Sequence, residues 1–449
     1  MPTCAQELAT FASNLTYSAI PAAVIRRAKD CIIDTVAACT YGAQFPWSGI
    51  VADYAQRYGS GGPCSIFGFP DRRVHAPYAA LSNGVLAHAF EQDSVRDPGI
   101  GGHPGAALVP AILAACQETG ASGEKAITAF VAGCEVMFRI GGASHHSKTS
   151  PEQLGFHAPG LTGPYGAAIA AGLVLGLDAE KLGHALGIAG SLSSGLLAFT
   201  KSKSGAMVKR LHLGRASESG ILAARLASAG YTGPETVLEG KFGYLDAYCR
   251  DGDPKLFTAE LNQRWETLRI CIKRYSCHMR GQIPVQALRE MMTEHAILAA
   301  DVKHIILEGS EKVLSHHNIP EPGDLMQAQY SVPFCVSLAL FRDPEDPQSF
   351  AVNALNDPSI RAMCRSIEMR ARTYKAPTDK STRIIVQLKD GREFRRDGES
   401  YKGMPDEPLS SVELRRKFML LTAAMGNADS AQLHEQLEQL ETRPSFPVA

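Results

Sequence analysis

The chain has 449 residues, 45% apolar and 20% charged, with a formal net charge of −1; this is a globular composition too long for one core, so two or three domains are expected. Near-neutral charge removes the electrostatic case for nucleic acid or an anionic membrane surface, and no apolar stretch is read as reaching the ~20 residues of a membrane span. Eleven cysteines scattered singly, and a first segment with neither a basic start nor an apolar run, predict reduced thiols in a cytoplasmic protein.

Residues 5–30 and 31–45 alternate at helical period, and Asp34–Cys39 reads as a buried helix ending near Gly42. A helix over 50–58 is broken by Gly59-Ser-Gly-Gly-Pro63, and Cys64–Phe69 reads as a short strand. Helices follow over roughly 76–90, 105–118, 123–143, 164–176, 179–197, 215–229 and 233–239, joined by short Gly/Pro loops. Near residue 265 the pattern changes. Val302–Glu308 alternates and is β-branched, a strand; Thr382–Leu388 and Arg392–Arg395 flank an Asp390-Gly391 turn, a hairpin. Helices at about 281–297, 326–342 and 347–355 lie between these strands, and final helices at about 409–425 and 428–441 return to the first style. The expected fold is mainly α. A large all-helical domain spans 1–268 with 408–449, and a smaller α+β domain spans 269–407.

Three times a basic residue sits just before a helix of small residues. His103 leads into Pro104-Gly-Ala-Ala, His157 into Ala158-Pro-Gly and Lys209 into Arg210-Leu-His-Leu-Gly214. Helix N-termini carry unpaired N–H groups and partial positive charge, so they favour anions. Three cation-bearing ends brought together would hold a multiply charged small anion.

Glu91 and Asp93 sit 12 and 10 residues before His103, with His88 upstream. A carboxylate beside a histidine fixes its tautomer and raises its basicity; solvated helix-end charge is the competing reading. Lys181–Ser217 contains no Asp or Glu, yet holds Lys201, Lys203, Lys209, Arg210 and Arg215 within fifteen residues. That suggests an anionic ligand or, equally, a solvated basic face. Lys209 and His212 share a face if helical. Lys273 through His278 falls at the proposed domain junction, a favoured place for small-molecule sites. Gly99-Ile-Gly-Gly-His-Pro-Gly105 is not a dinucleotide fingerprint, and no P-loop, Gly-x-Ser-x-Gly or His-Glu-x-x-His motif occurs. Zinc and iron–sulfur spacings are also missing. His145-His146 reads as surface.

Taken together, His88-Ala-Phe-Glu-Gln-Asp93, Gly102-His-Pro-Gly105, Gly155-Phe-His157, Lys209-Arg-Leu-His-Leu-Gly214, Gly233-Pro-Glu-Thr-Val-Leu-Glu-Gly240 and Lys273-Arg-Tyr resemble the MmgE/PrpD family over nearly the whole length. This family includes 2-methylcitrate dehydratase, cis-aconitate decarboxylase and iminodisuccinate epimerase. The resemblance implies a helical domain with an α+β lid, a homodimer, a di- or tricarboxylate substrate, and no metal, nucleotide or organic cofactor. It places catalytic roles on His103, His157, Asp93, Glu91, Lys209 and Lys273. Substrate contacts are expected at Lys209, Lys273, His212, His278, Ser94 and Tyr330. The family's acidic motif reads Asp-x-Asp-Asp-Thr, whereas this chain has Glu91-Gln-Asp-Ser-Val95. Ser94 is the candidate replacement for the threonine hydroxyl. Phe334 stands where some members carry an active-site tyrosine, and Tyr330 is the candidate to compensate.

The chemistry shared by these members is proton transfer beside carboxylates. Fixed cations stabilise charge that builds on the carboxylate oxygens. Lys209 and Lys273 are expected to clamp substrate carboxylates, and His103, supported by Asp93 or Glu91, to exchange a proton opposite His157. On this reading a 2-methylcitrate-type hydro-lyase ranks first. A cis-aconitate-type decarboxylase, an iminodisuccinate-type epimerase and a non-catalytic carboxylate-binding homologue are the alternatives.

Overall fold

The computed structural model describes all residues except 98–101, 146–148, 203–205, 250, 374–380 and 448–449. The fold is mainly α, with two large hydrophobic cores and a small third cluster of Val95, Cys271, Ile283 and Tyr401. The first is built around helices Ala22–Gly42, Ala76–Ala87, Pro104–Thr119, Gly123–His145, Ala158–Val174 and Val208–Ser228. Every residue of Ala158–Val174 is buried, as expected of a helix apolar on all sides.

Small residues let these helices pack backbone to backbone. A Cβ on Gly84 would stand 2.7 Å from Gly214 Cα, and one on Gly214 would stand 2.4 Å from the Leu81 carbonyl oxygen. This close approach fixes the helix that carries Lys209 against the helix that leads to Glu91. Gly123–Ser144 is long and apolar enough to cross a membrane by length and composition, contrary to the expectation from sequence. Almost all of it is packed inside the protein, which accounts for its apolarity without a bilayer.

Several boundaries differ from the sequence reading, with consequences for the site. Helix Ala158–Val174 starts before Pro164 and carries that proline inside it; reading proline as a breaker set the expected start too late. Helix Val208–Ser228 begins upstream of the expected 215, so Lys209 lies in its first turn rather than in a loop before it. His103 and His157 do precede their helices, each at the N-cap. Residues 233–239 form turns instead of a helix, and the Leu192 end of Ala179–Leu192 falls short of 197. The short strand is half of a hairpin: Ser60–Ile66 pairs antiparallel with Phe69–Val74 around Gly68, whose φ of 73° suits glycine.

The second core is covered by a four-stranded sheet. Glu368–Ala371 runs parallel to Val302–Gly309, which pairs antiparallel with Thr382–Leu388, itself antiparallel to Glu393–Gly398. The first of these strands and the helix Pro358–Ser366 are additions to the sequence reading. The expected helix over 326–342 is two, Leu325–Tyr330 and Val332–Phe341, divided at Ser331, whose side chain accepts from Phe334 N–H. Helices Ser411–Leu421 and Asn427–Glu438 return to the first core through Leu414, Phe418, Leu433 and Leu437. All the cysteines but Cys4 are buried.

Candidate active site

The segment that follows helix Ala76–Ala87 runs between the two cores, and residues 89–97 are buried throughout. Such a segment has to find partners for its polar groups from its surroundings. Val95 and Arg96 pair with Cys271 and Ile270 in a two-stranded ladder. Gln329 Nε2 donates to the carbonyls of Phe90 (2.8 Å) and Ser276 (3.0 Å), and Gln92 donates to the Ser276 hydroxyl. Lys417 Nζ, paired with Asp34 at 2.5 Å, donates to the Gln92 carbonyl at 2.9 Å. Glu91 adopts φ 56°, a left-handed conformation rare for a glutamate. These contacts hold that turn and send Glu91 and Asp93 into two adjacent clusters.

In the first cluster, Glu91 binds both expected clamp lysines: Lys209 Nζ at Oε1 and Lys273 Nζ at Oε2, the latter at 2.9 Å. All three side chains are almost fully buried. Burial alone would raise the Glu91 carboxyl, but the two ammonium groups outweigh it and hold the acid well below its ordinary value. Burial lowers Lys209, and Glu91 opposes that shift. Lys209 Nζ also lies 4.9 Å from the Tyr330 ring centre, a cation–π contact.

In the second cluster, Asp93 Oδ2 lies 2.9 Å from His88 Nδ1 and 2.7 Å from His103 Nδ1. Burial opposes ionisation of Asp93, yet His88 and His103 keep its carboxyl well below the ordinary range. Burial pushes His88 down to about 3 despite Asp93. His88 is wholly buried, whereas the His103 side chain keeps 13% of its surface exposed; of the two, it is the imidazole a ligand can reach. The three side chains also form a set that could ligate a metal ion, with donor atoms within 4.8 Å. His88 is hydrogen-bonded to Asp93, and His103 stands at ion-pair distance from the same oxygen.

A third group faces these clusters. His157 Nδ1 and His212 Nδ1 are 2.9 Å apart, and Phe199 packs edge-on against His157 at 5.3 Å. Burial, then Lys209, lowers both histidines, so they are neutral at physiological pH. His278 stacks on His317 at 4.2 Å and approaches Tyr330 at 4.9 Å. Its Nδ1 accepts the Arg280 N–H at 3.3 Å, and burial together with His317 keeps it neutral.

The structure therefore gathers Glu91, Asp93, His103, Lys209, Lys273 and Tyr330, with His157, His212 and His278 beside them. Ser94 is the exception. Its hydroxyl accepts the Gly105 N–H at 3.3 Å and meets Cys31 Sγ at 3.1 Å, so it braces the start of the His103 helix rather than facing the histidines. The lysines also differ from expectation, since their charges are met by Glu91 and not left open. Phe334 belongs to the second core, and Tyr330 supplies the aromatic wall at Lys209. His317, Gln329 and Lys417 escaped sequence reasoning because their partners are distant in the chain. Lys203 and the rest of 203–205, and the 98–101 and 146–148 segments, lie outside the described residues, as does the side chain of His145.

Two family profiles match the chain, the MmgE/PrpD N-terminal domain over residues 6–256 and the MmgE/PrpD C-terminal domain over residues 275–441. The chain belongs to the MmgE/PrpD family. Among its curated relatives is a human protein named cis-aconitate decarboxylase, 28% identical over 453 residues that cover 97% of this chain and 92% of the human one. An Aspergillus terreus protein of the same name is 27% identical over 96% of this chain and 91% of its own. A third, from Aspergillus terreus strain NIH 2624, is 30% identical over 74% of this chain and 71% of its own. The MmgE/PrpD profiles meet between residues 256 and 275, the stretch that contains the Ile270–Cys271 strand paired with the acidic segment.

Proposed function

We propose that this MmgE/PrpD chain is a carboxy-lyase that converts cis-aconitate, or a close tricarboxylate, to an itaconate-type product and CO2. The observation that carries the reading is the contact between His103 Nδ1 and the buried Asp93 carboxylate at 2.7 Å. It supports one accessible imidazolium as proton donor, beside cations suited to carboxylates. The names of relatives matched over most of their length favour this reaction over the dehydration ranked first from sequence.

The electrons balance without redox chemistry. The bond from the methylene carbon to its carboxylate breaks, and CO2 leaves. The bonding pair forms a new terminal double bond, while the old double bond takes a proton at the carbon that bears the other terminal carboxylate. His103 gives that proton, and Asp93 stabilises the charged imidazole beforehand. Lys209 and Lys273 neutralise the retained carboxylates as charge moves through the allyl system, with Glu91 fixing their positions. Burial strengthens each of these interactions by excluding water.

A hydro-lyase remains the second reading, favoured by one feature: the neutral His157–His212 pair could serve as base opposite His103. Proton NMR in D2O separates the two. With cis-aconitate the expected result is a pair of vinyl signals, CO2 release and one deuterium in the remaining methylene. Water loss from 2-methylcitrate without CO2 from cis-aconitate would replace the decarboxylase by the dehydratase. Thermal stabilisation by both acids with turnover of neither would favour the non-catalytic homologue.

A further inference from the structure

Arg210 follows Lys209 in the first turn of helix Val208–Ser228. It is 2% exposed, and its Nε and Nη2 have no hydrogen-bond partner among the described residues. Its guanidinium carbon lies 5.6 Å from the Trp47 ring centre, and the Trp47 indole N–H is also buried without a partner. Burial lowers Arg210, and the carboxylates of Glu91, Asp324 and Asp93 oppose that shift. It thus shares part of the electrostatic environment of Lys209, since Glu91 and Asp93 act on both. None of these acids forms an ion pair with it among the described residues. Glu91 is taken by Lys209 and Lys273, and Asp93 by His88 and His103.

An unpaired buried guanidinium is costly, and a cation in the first turn of a helix also opposes the helix dipole. The fold bears both penalties at one residue. Among the described residues, Lys209 and Lys273 pair with Glu91, and Arg210 pairs with none of the acids that act on it. A bound polyanion would correct the imbalance, and the planar fork of arginine suits a carboxylate.

We propose that Arg210, walled by Trp47, anchors a substrate carboxylate remote from the reacting carbon, and is the residue by which this site selects tricarboxylates over dicarboxylates. The inference rests on the reading that the site takes a polycarboxylate. It does not require decarboxylation.

Calorimetric titration with tricarballylate and glutarate tests it. Tricarballylate has no double bond and cannot follow the proposed reaction, so binding is read apart from turnover. The wild-type protein is expected to bind tricarballylate at least about tenfold more tightly than glutarate, the worth of one charge-assisted carboxylate contact. In Arg210→Met the gap should close, with the ligand-free melting temperature unchanged or higher, because an unpaired buried charge has been removed. Should that variant fail to fold, Arg210→Lys keeps the charge, loses the fork and should narrow the gap. An unchanged gap in either folded variant, or no gap in the wild type, overturns the proposal. A lower melting temperature with the gap preserved would assign Arg210 to the fold instead. Failure to release CO2 from cis-aconitate while the Arg210-dependent gap persists would reject the decarboxylase and leave the anchor standing.

Discussion

Asp93 Oδ2 stands 2.7 Å from His103 Nδ1, and the same oxygen also meets His88 Nδ1 at 2.9 Å. One buried carboxylate oxygen thus orients two imidazoles, of which only His103 has exposed surface. His103→Gln is expected to lower kcat by about 10²–10⁴ with little change in melting temperature. Asp93→Asn should also lower kcat, with KM changing less, because the substrate lysines remain. Steady-state kinetics and thermal melts on both variants check this. Full activity in His103→Gln would remove it from the reaction.

Glu91 is the counter-ion of two buried lysines, so its removal leaves both uncompensated. Glu91→Gln should cost about 3–5 kcal/mol of stability, as for breaking a buried ion pair. Added sulfate or tricarballylate should restore more stability to this variant than to the wild type. Denaturant unfolding with and without anion measures both effects, and a loss below 1 kcal/mol would mean that the pairing at Glu91 contributes little.

The Gly84–Gly214 contact links packing to chemistry. A methyl at Gly214 would stand 2.4 Å from the Leu81 carbonyl oxygen, whereas one at Gly183 meets nothing nearer than 4.0 Å. Gly214→Ala should destabilise the protein by about 1–3 kcal/mol and lower kcat, because Lys209 rides on the displaced helix. Gly183→Ala lies inside helix Ala179–Leu192 and should be neutral or stabilising by up to about 1 kcal/mol. Equal effects from the two would contradict the packing argument.

Acid should destabilise the fold from about pH 6.5 downward. His88, held near 3, and His157 and His278, both lowered, refuse protons that the unfolded chain accepts, so stability falls as pH drops below the unfolded value. Asp34, raised by burial to about 6, and Glu135, also raised, act in the opposite sense at lower pH. The decline should therefore begin before Asp34 titrates. Melting temperatures from pH 7.5 to 5 show it, and a flat or rising profile on acidification would refute it.

The His88–Asp93–His103 set invites a direct metal test. If the carboxylate–imidazole contacts alone account for the cluster, EDTA leaves activity unchanged and excess zinc inhibits by occupying His103. Loss of activity with EDTA, restored by zinc, would instead make the cluster a metal centre.

Much of the site was legible because it is written in short segments. His103-Pro-Gly, His157-Ala-Pro-Gly and Lys209-Arg-Leu-His each place a basic group at or in the first turn of a small-residue helix, and local composition is enough to find them. The hairpin around Gly391 and the Val302–Gly309 strand were equally local. Less legible were Pro164 and Pro110, which sit inside helices, and strand Glu368–Ala371, a short edge strand with a weak pattern of its own.

The sequence by itself determined the family, the two styles of structure and which residues carry charge at the site, since these depend on motif, periodicity and residue type. Only the tertiary structure decided how the charges pair. Glu91 goes to Lys209 and Lys273, Asp93 to His88 and His103, and Ser94 to Gly105 and Cys31. Arg210 is left without an acid among the described residues. Pairing depends on distances between segments up to 182 residues apart, and a buried charge takes its energy from the groups packed around it rather than from its neighbours in the chain.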